Sequence, residues 1–390
     1  MNYKDLRRFY AFSIFFLALI LSIAGIVFVY TGSYFYCVKH GLHPYTYALK
    51  QALALFAGVV VALSIYRYFD YRTIASNRKL LWGVYFVAIF LLIAVLLFGK
   101  EINNSKSWIY IAGFSLQPAE IAKVLVIIFV SGYIKYKWYE IQRKPSVFVG
   151  FLFLAFFPVL LILLEKDLGS AMILSIVIFA ILFVTELSFK YILYPVLIGF
   201  VMFVVAVVTA PYRIARIKML LSPADYYHAA GKYSSYQLVQ AFVAFAKGGL
   251  LGMGLGQGAQ SKFLFLTFSF SDFMYAHIAE ETGVVGAAIV LLAFFAILYF
   301  GISIANGTDE KVGKFMALGL TLYIFLQAIV HMGVNMGLLP TTGITLPFLS
   351  MGGTSLLSMF IAVGFLMNIA KFLPDESRTS YELVEKGRYA

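Results

Sequence analysis

The sequence predicts an all-α polytopic membrane protein of about ten transmembrane helices with one long extracytoplasmic loop, and three observations carry that prediction. The 390 residues are 62% hydrophobic and only 12% charged. The mean hydropathy is +0.90, and a soluble domain of this composition would leave too much apolar surface against water. Long apolar runs recur along the whole chain, and the one long interruption lies between Pro211 and Glu281. That stretch opens with cations, passes through glycines and closes on Ser271-Asp272-Phe273. A loop of such length between spans is usually functional rather than connecting. Its contents suit an anionic, lipid-linked substrate at a membrane surface.

At the N-terminus, Lys4-Asp5-Leu6-Arg7-Arg8 precedes an apolar run from Phe9 to Tyr30. The run is too long for a signal peptide and has no small-residue cleavage site, so it reads as the first membrane helix. Further spans are expected at about 47–66, 80–98, 116–134, 147–164, 168–185, 190–210, 273–302, 312–335 and 353–372. An even number of spans puts both termini on one side. With the N-terminus in the cytoplasm, the short segments on that side hold eighteen Lys and Arg residues and the short loops opposite hold five. By the positive-inside rule both ends are then cytoplasmic, and the loop of about 211–272 faces outward. Residues 1–373 read as a single transmembrane domain without the internal repeat of an inverted-repeat transporter, and 374–390 as a short charged tail. Cys37 is the only cysteine, so no disulfide framework forms within one chain. The net charge of +12 follows from membrane orientation, and nucleic acid is not an expected partner.

The first cluster with chemistry runs from Trp108 to Lys123. After Gln117, Pro118 suits the first turn of a helix, and Glu120 in that turn complements the positive end of the helix dipole. A spacing of three places Glu120 and Lys123 on one face. They are either an ion pair at an outer helix end or charges lining a substrate cavity, the default hypothesis for charges at membrane depth. In the turn Glu165-Lys166-Asp167-Leu168-Gly169-Ser170, Asp167 is placed to cap the following helix, whereas Glu165 could help hold a cation.

In the long loop, Arg213 and Arg216 share a helical face just outside a span. Their guanidinium forks could grip phosphate oxygens in pairs or meet anionic lipid headgroups. The segment from Ser235 to Ala246 reads as a short interfacial helix stopped by Gly248-Gly249, with Lys247 at its end. The following glycine run to Gly258 lacks the preceding strand and the Gly-Lys-Ser/Thr of a nucleotide loop, which favours close backbone packing over a phosphate cradle. On an ideal helix Glu280 lies about 80° around from Asp272 and Glu281 points away, so only Glu280 is expected to share a cavity with Asp272. Asp272 could alternatively be a helix cap. His277 and His331 read as hydrogen-bonded core residues. The run from Leu339 to Ser355, with Ser350, Gly352 and Gly353, reads as irregular outward backbone, either a packed re-entrant turn or a cavity lining.

Together, Phe114-Ser115-Leu116-Gln117-Pro118-Ala119-Glu120, Asp167-Leu168-Gly169, Pro211-Tyr212-Arg213 through Arg216, Tyr236-Gln237 with the glycine run, Ser271-Asp272-Phe273 through Glu281, and Leu339 through Ser355 resemble the SEDS family of FtsW, RodA and SpoVE. The likeness spans nearly all the expected helices in order. Gly254-Leu255-Gly256 and Gly343-Ile344-Thr345-Leu346-Pro347 look more like FtsW than RodA. The chain departs from the family at Thr267-Phe268-Ser269-Phe270, where Pro-Glu-x-His is frequent, and at Ser107, Lys166 and Met351, where a basic residue, Pro and Tyr are usual.

The resemblance implies a peptidoglycan glycosyltransferase that polymerises lipid II, a polyprenyl-diphosphate-linked disaccharide, at the outer face of the bacterial cytoplasmic membrane. It implies Asp272 as the catalytic aspartate and a class B penicillin-binding protein as partner, with divisome proteins and the septum if the role is FtsW-like. Arg213, Arg216, Trp108, Gln117, Glu120, Lys123, Lys247, Glu280, Ser350, Gly352 and Gly353 are the candidate substrate contacts. No cofactor is required by this set; a divalent cation, Mg or Mn, is the one candidate that could share the diphosphate. The alternatives are a RodA-like elongation polymerase and a lipid II flippase. A flippase needs polar residues continuing to the cytoplasmic side, whereas here they gather at the outer helix ends. The orientation is checked by fused reporters: those after Ala390 and near Ser76 are expected to read cytoplasmic and one near Lys232 external, and a cytoplasmic signal at Lys232 overturns it.

Overall fold

The computed structural model describes residues 3–102, 105–111, 114–185, 187, 189–228 and 234–373. The expected tail at 374–390 and the Lys232 position lie outside them. In chain order the helices are α1 (Tyr3–Lys39), α2 (Thr46–Tyr68), α3 (Arg72–Ser76), α4 (Arg78–Phe98), α5 (Pro118–Tyr136), α6 (Trp138–Arg143), α7 (Pro145–Leu164), α8 (Leu168–Phe183), α9 (Phe189–Val208), α10 (Pro211–Leu221), α11 (Tyr236–Gly248), α12 (Ala259–Lys262), α13 (Met274–Gly307), α14 (Lys311–Asn335) and α15 (Gly353–Lys371).

A helix stands at every position where the sequence predicts a span. Eight of them are long and apolar enough to cross a membrane. The other two are α8, apolar but only 16 residues long, and α5, whose 19 residues carry Glu120, Lys123 and Lys135. Local chemistry sets several of the starts. Asn77 accepts from the N–H groups of Lys79 and Leu80 at the head of α4, Asp167 accepts from Ser170 N–H at the head of α8 as expected, and α5, α7 and α10 each begin on a proline. The helices are not equivalent in depth. In α15, 83% of the most apolar stretch is buried inside the protein, and in α14 72%, against 6% in α9. The centre is therefore α5, α14 and α15, with α9 a peripheral helix against α8.

An element the periodicity did not reveal lies between α4 and α5. Strands β1 (Lys100–Ile102), β2 (Ser105–Ile111) and β3 (Phe114–Leu116) form an antiparallel sheet in the order β1-β2-β3. Trp108 pairs with Lys100 across it. The strands are too short for an alternating pattern to stand out between two long apolar helices.

The glycine run explains itself in three dimensions. Helix α13 is broken at Gly283, whose φ is +71°, and the 248–254 segment lies against the break. Met253 and Gly254 donate their N–H groups to the carbonyls of Glu280 and Glu281, and Val284 and Val285 donate to the carbonyls of Gly249 and Leu250. Such patching is what a membrane-embedded break requires, because no water satisfies the freed groups. Contact this close admits no side chain: a Cβ on Gly252, at φ +81°, would sit 2.2 Å from the Glu281 carbonyl oxygen. Gly252→Ala is therefore expected to lower stability by at least ~2 kcal/mol, measured by chemical unfolding in detergent. Gly41→Ala, at φ +66° with nothing within 4 Å, is expected to cost about 1 kcal/mol; equal losses would show that the 252 contact does not matter.

Candidate active site

The outer centre of the bundle is built from two irregular segments tied together. Between α14 and α15 the chain runs without regular structure, and Met351 N–H donates to the Phe270 carbonyl at 2.9 Å. The Ser350 hydroxyl donates to the Ser271 carbonyl at 2.6 Å and accepts from Leu346 N–H at 2.9 Å. Gln51, in the second turn of α2, donates to the Ser350 carbonyl at 2.9 Å and accepts from Gly352 N–H at 3.2 Å. From the other side, Asn335 at the end of α14 donates to the Asp272 carbonyl at 3.0 Å and accepts from Ala276 N–H at 3.1 Å. Ser350 and Gly352 thus hold the backbone that presents Asp272, and Gly353 begins α15 beside them.

Asp272 precedes α13, whose N-cap residue Phe273 makes no side-chain capping bond, and the first-turn N–H of Ala276 is met by Asn335 instead. Of the two alternatives, capping is the one the structure does not support. The carboxyl sits in a crevice where burial pushes it up to about 6, against the opposing pull of the Ser271 hydroxyl and the Arg216 charge.

Arg216 lies one turn beyond Arg213 on α10, as the spacing requires, and both guanidiniums face the Tyr212 ring, at 5.8 and 5.2 Å. Arg216 donates to the Thr341 carbonyl at 2.7 Å, which joins α10 to the irregular segment. Burial draws its guanidinium below its usual range, while Tyr212, Asp272 and Asp167 act against that. Arg213 turns to the end of α9 and donates to the Ala206 carbonyl at 2.6 Å.

Glu120 and Lys123 are buried in a closed network. Lys123 Nζ is 2.7 Å from Glu120 Oε1 and donates to Gln327 Oε1 at 3.2 Å. Tyr323 donates to Glu120 Oε2 at 3.0 Å, and Gln327 reaches the Thr345 carbonyl and the Ser355 hydroxyl at 3.3 Å each. The pair thus sits within the protein, one layer beneath the irregular segment that Ser350 anchors. Gln117 meets the start of α15, its N–H donating to Thr354 Oγ1 at 3.2 Å.

The expectation that Glu280 shares a cavity with Asp272 needs correction. The helical wheel does not reach Asp272, which lies before α13 begins at Met274. The buried Glu280 carboxylate accepts from Gln260 N–H at 3.0 Å, and Glu281 accepts from Gly256 N–H at 2.9 Å and the Thr31 hydroxyl at 3.0 Å. Both acids therefore anchor the glycine segment and α12 to α13. Lys247, exposed at the end of α11, lies close enough to Glu280 for its charge to be felt there. His277 is satisfied by Thr31 and Ser261 at 3.0 and 2.9 Å, as a core histidine should be, and His331 Nδ1 pairs with the Ile344 carbonyl at 2.7 Å while its buried Nε2 has no partner among the described residues.

Glu165 is fully buried beside Ser107 of β2, and burial pushes its carboxyl up to about 9. Among the described residues no group of three or more His, Cys, Asp or Glu side chains is placed to hold a metal ion. The donor set around Asp272 does not fit a protein-built cation site.

The residues missed from the sequence are Gln51, Tyr323, Gln327 and Asn335. All four are polar groups within otherwise apolar helices, and that oddity was the available signal.

Comparison with known proteins agrees over nearly the full length. The family described as cell cycle protein, of FtsW, RodA and SpoVE, matches residues 11–374. Stage V sporulation protein E of Bacillus subtilis is 36% identical over 359 residues, 91% of this chain and 95% of that protein. A probable peptidoglycan glycosyltransferase FtsW of Legionella pneumophila is 33% identical over 356 residues, 90% of this chain and 88% of that one. The crystal structure of Thermus thermophilus rod shape determining protein RodA superposes with a TM-score of 0.65 at 21% identity, covering 92% of this chain and 95% of that one. A chain from a peptidoglycan synthase complex that coordinates polymerization and crosslinking gives 0.73 at 23% identity, covering 93% and 98%.

Removing one partner of the buried ion pair strands the other charge. Lys123→Met is expected to cost ~3–5 kcal/mol in detergent unfolding, and the double variant Glu120→Gln with Lys123→Met to recover most of it. A single variant as stable as the parent would mean the pair is open to water.

Proposed function

The chain belongs to the cell cycle protein family of FtsW, RodA and SpoVE, and on that premise we propose that it is a peptidoglycan glycosyltransferase polymerising lipid II at the outer face of the bacterial cytoplasmic membrane. The observation that carries this is the desolvated Asp272 carboxyl beside Arg216, on backbone held by Ser350 and Asn335. Asp272 is the general base. It takes the proton of the acceptor sugar hydroxyl while that oxygen bonds to the anomeric carbon and the bond to the diphosphate breaks, the electron pair leaving on the phosphate.

A glycosidase needs a second carboxyl to protonate a departing alkoxide. A diphosphate needs only positive charge, so one carboxylate with Arg213 and Arg216 suffices. Single-step attack inverts the anomeric configuration, turning an α-linked donor into a β-linked glycan. No step is routed through a divalent cation.

The FtsW names among the relatives favour a role in division, at the septum with divisome proteins, over RodA-like elongation. The structural likeness to a chain of a peptidoglycan synthase complex supports a class B penicillin-binding protein as the crosslinking partner. The charge bias of the loops supports cytoplasmic termini and an outward site.

General-base catalysis contributes on the order of 10²–10⁴ in rate. Asp272→Asn is accordingly expected to bind lipid II yet polymerise it at least a hundredfold more slowly. Because only the ionised carboxylate accepts a proton, the rate of the parent protein should rise with pH through about 6 and level off above. A near-parental rate in the Asn variant would move the base elsewhere, and activity in both this variant and Glu280→Gln would remove the proposed chemistry.

A further inference from the structure

The outer ends of α1 and α2 meet the 268–270 segment in a wall of aromatic rings that the reaction as described does not use. Tyr36 stacks on His40 with centroids 4.2 Å apart and lies 5.6 Å from Phe270 and 6.2 Å from Phe268. Tyr47 of α2 closes the group at 5.0 Å from Phe270. The wall has an open face: Tyr36 and Tyr47 are half-buried, His40 is exposed and Phe268 is 41% exposed. Phe270 is pinned through its carbonyl by Met351 N–H, and two residues on stands Asp272, separated by at most about 7 Å of backbone.

The wall and the arginines adjoin different helices of the bundle. Helix α10, with Arg213 and Arg216, follows α9, which packs against α8, whereas α1 and α2 pack against each other and against α15. Asp272 lies between a cationic flank and an aromatic one. Inverting displacement at an anomeric carbon brings the nucleophile to the face opposite the leaving group. If the diphosphate departs towards the arginines, the acceptor saccharide must approach from the other side. Flat rings with polar edges offer apolar area to the C–H face of a pyranose at little entropic cost, since each ring has few rotamers to lose. An uncharged sugar needs no ion pair there.

We infer that Tyr36, Tyr47 and Phe268, backed by the buried Phe270 ring, form the acceptor-saccharide subsite, which orients the attacking hydroxyl towards Asp272. The assignment rests on the proposed polymerase reaction. It gives Phe268, which stands where the family often carries other residues, a positioning role specific to this chain.

The test uses the detergent-solubilised full chain with two probes, a soluble N-acetylated tetrasaccharide as acceptor and sugar-free polyprenyl diphosphate as leaving group, alongside lipid II polymerisation. Tyr47→Leu and Phe268→Leu keep apolar volume and remove the ring. Each is expected to weaken tetrasaccharide binding about three- to tenfold, with polyprenyl diphosphate binding unchanged as the control for folding. Phe268→Trp should restore tetrasaccharide binding. Parental affinity for the tetrasaccharide in both Leu variants, no tetrasaccharide binding by the parent, or an equal loss for both probes overturns the acceptor assignment while leaving the polymerase intact. A parent protein that makes no polymer from lipid II overturns the proposed function itself, and the subsite with it.

Discussion

Within a bilayer, backbone that leaves the helix must find every hydrogen bond inside the protein, because no water is there to supply one. That constraint governs this molecule more than any single contact. The chain leaves regular structure at 268–273, at 339–352 and at Gly283, and each departure is met by a specific partner. Gln51, Asn335 and Ser350 serve the first two, and the carbonyls and N–H groups of the glycine run serve the third. What results is a rigid outer floor of non-helical backbone, on which Asp272 is held by main chain rather than by its own side chain. A carboxyl positioned in this way keeps its side chain free for the general-base role proposed for it.

Charge is distributed along the same logic. The Glu120–Lys123 pair is closed by Tyr323 and Gln327, and Gln327 continues to Thr345 and Ser355. The network therefore fixes α5, α14 and α15 to the underside of the floor. Glu280 and Glu281 are spent on the N–H groups of Gln260 and Gly256. Asp167, whose charge Arg216 also feels, accepts from Ser170 N–H, and the raised pKa of Asp272 comes from burial more than from any neighbouring charge. A carboxyl near 6 is ionised at neutral pH yet basic enough to accept a proton, the balance a general base requires.

The two flanks of Asp272 differ in kind. On one, guanidiniums share the Tyr212 ring and reach main-chain carbonyls of α9 and the irregular segment. On the other, uncharged rings pack against one another at tilted angles. In the proposed reaction the leaving diphosphate and the incoming sugar have the corresponding chemistries.

Much of this was legible in the chain itself. Helix positions follow from apolar length, starts from Pro118, Asp167 and Asn77, the stop of α11 from Gly248-Gly249, and membrane character from composition, because each depends only on residues near one another in sequence or on the solvent. Asp272 and the arginines stood out as charges beside apolar runs, and the roles proposed for them came from the family resemblance. Tertiary structure alone decided the rest. Glu280 could not be placed by a helical wheel, since the helix starts after Asp272 and breaks at Gly283. The glycine run could not be recognised as the patch for that break, because donor and acceptor are some thirty residues apart (Met253 and Glu280, Gly249 and Val284). The small sheet was hidden between two long helices. Gln51 and Asn335 gain their meaning only from the distant backbone they satisfy, and a hydrogen bond between distant segments is a property of the packed chain that no local pattern encodes.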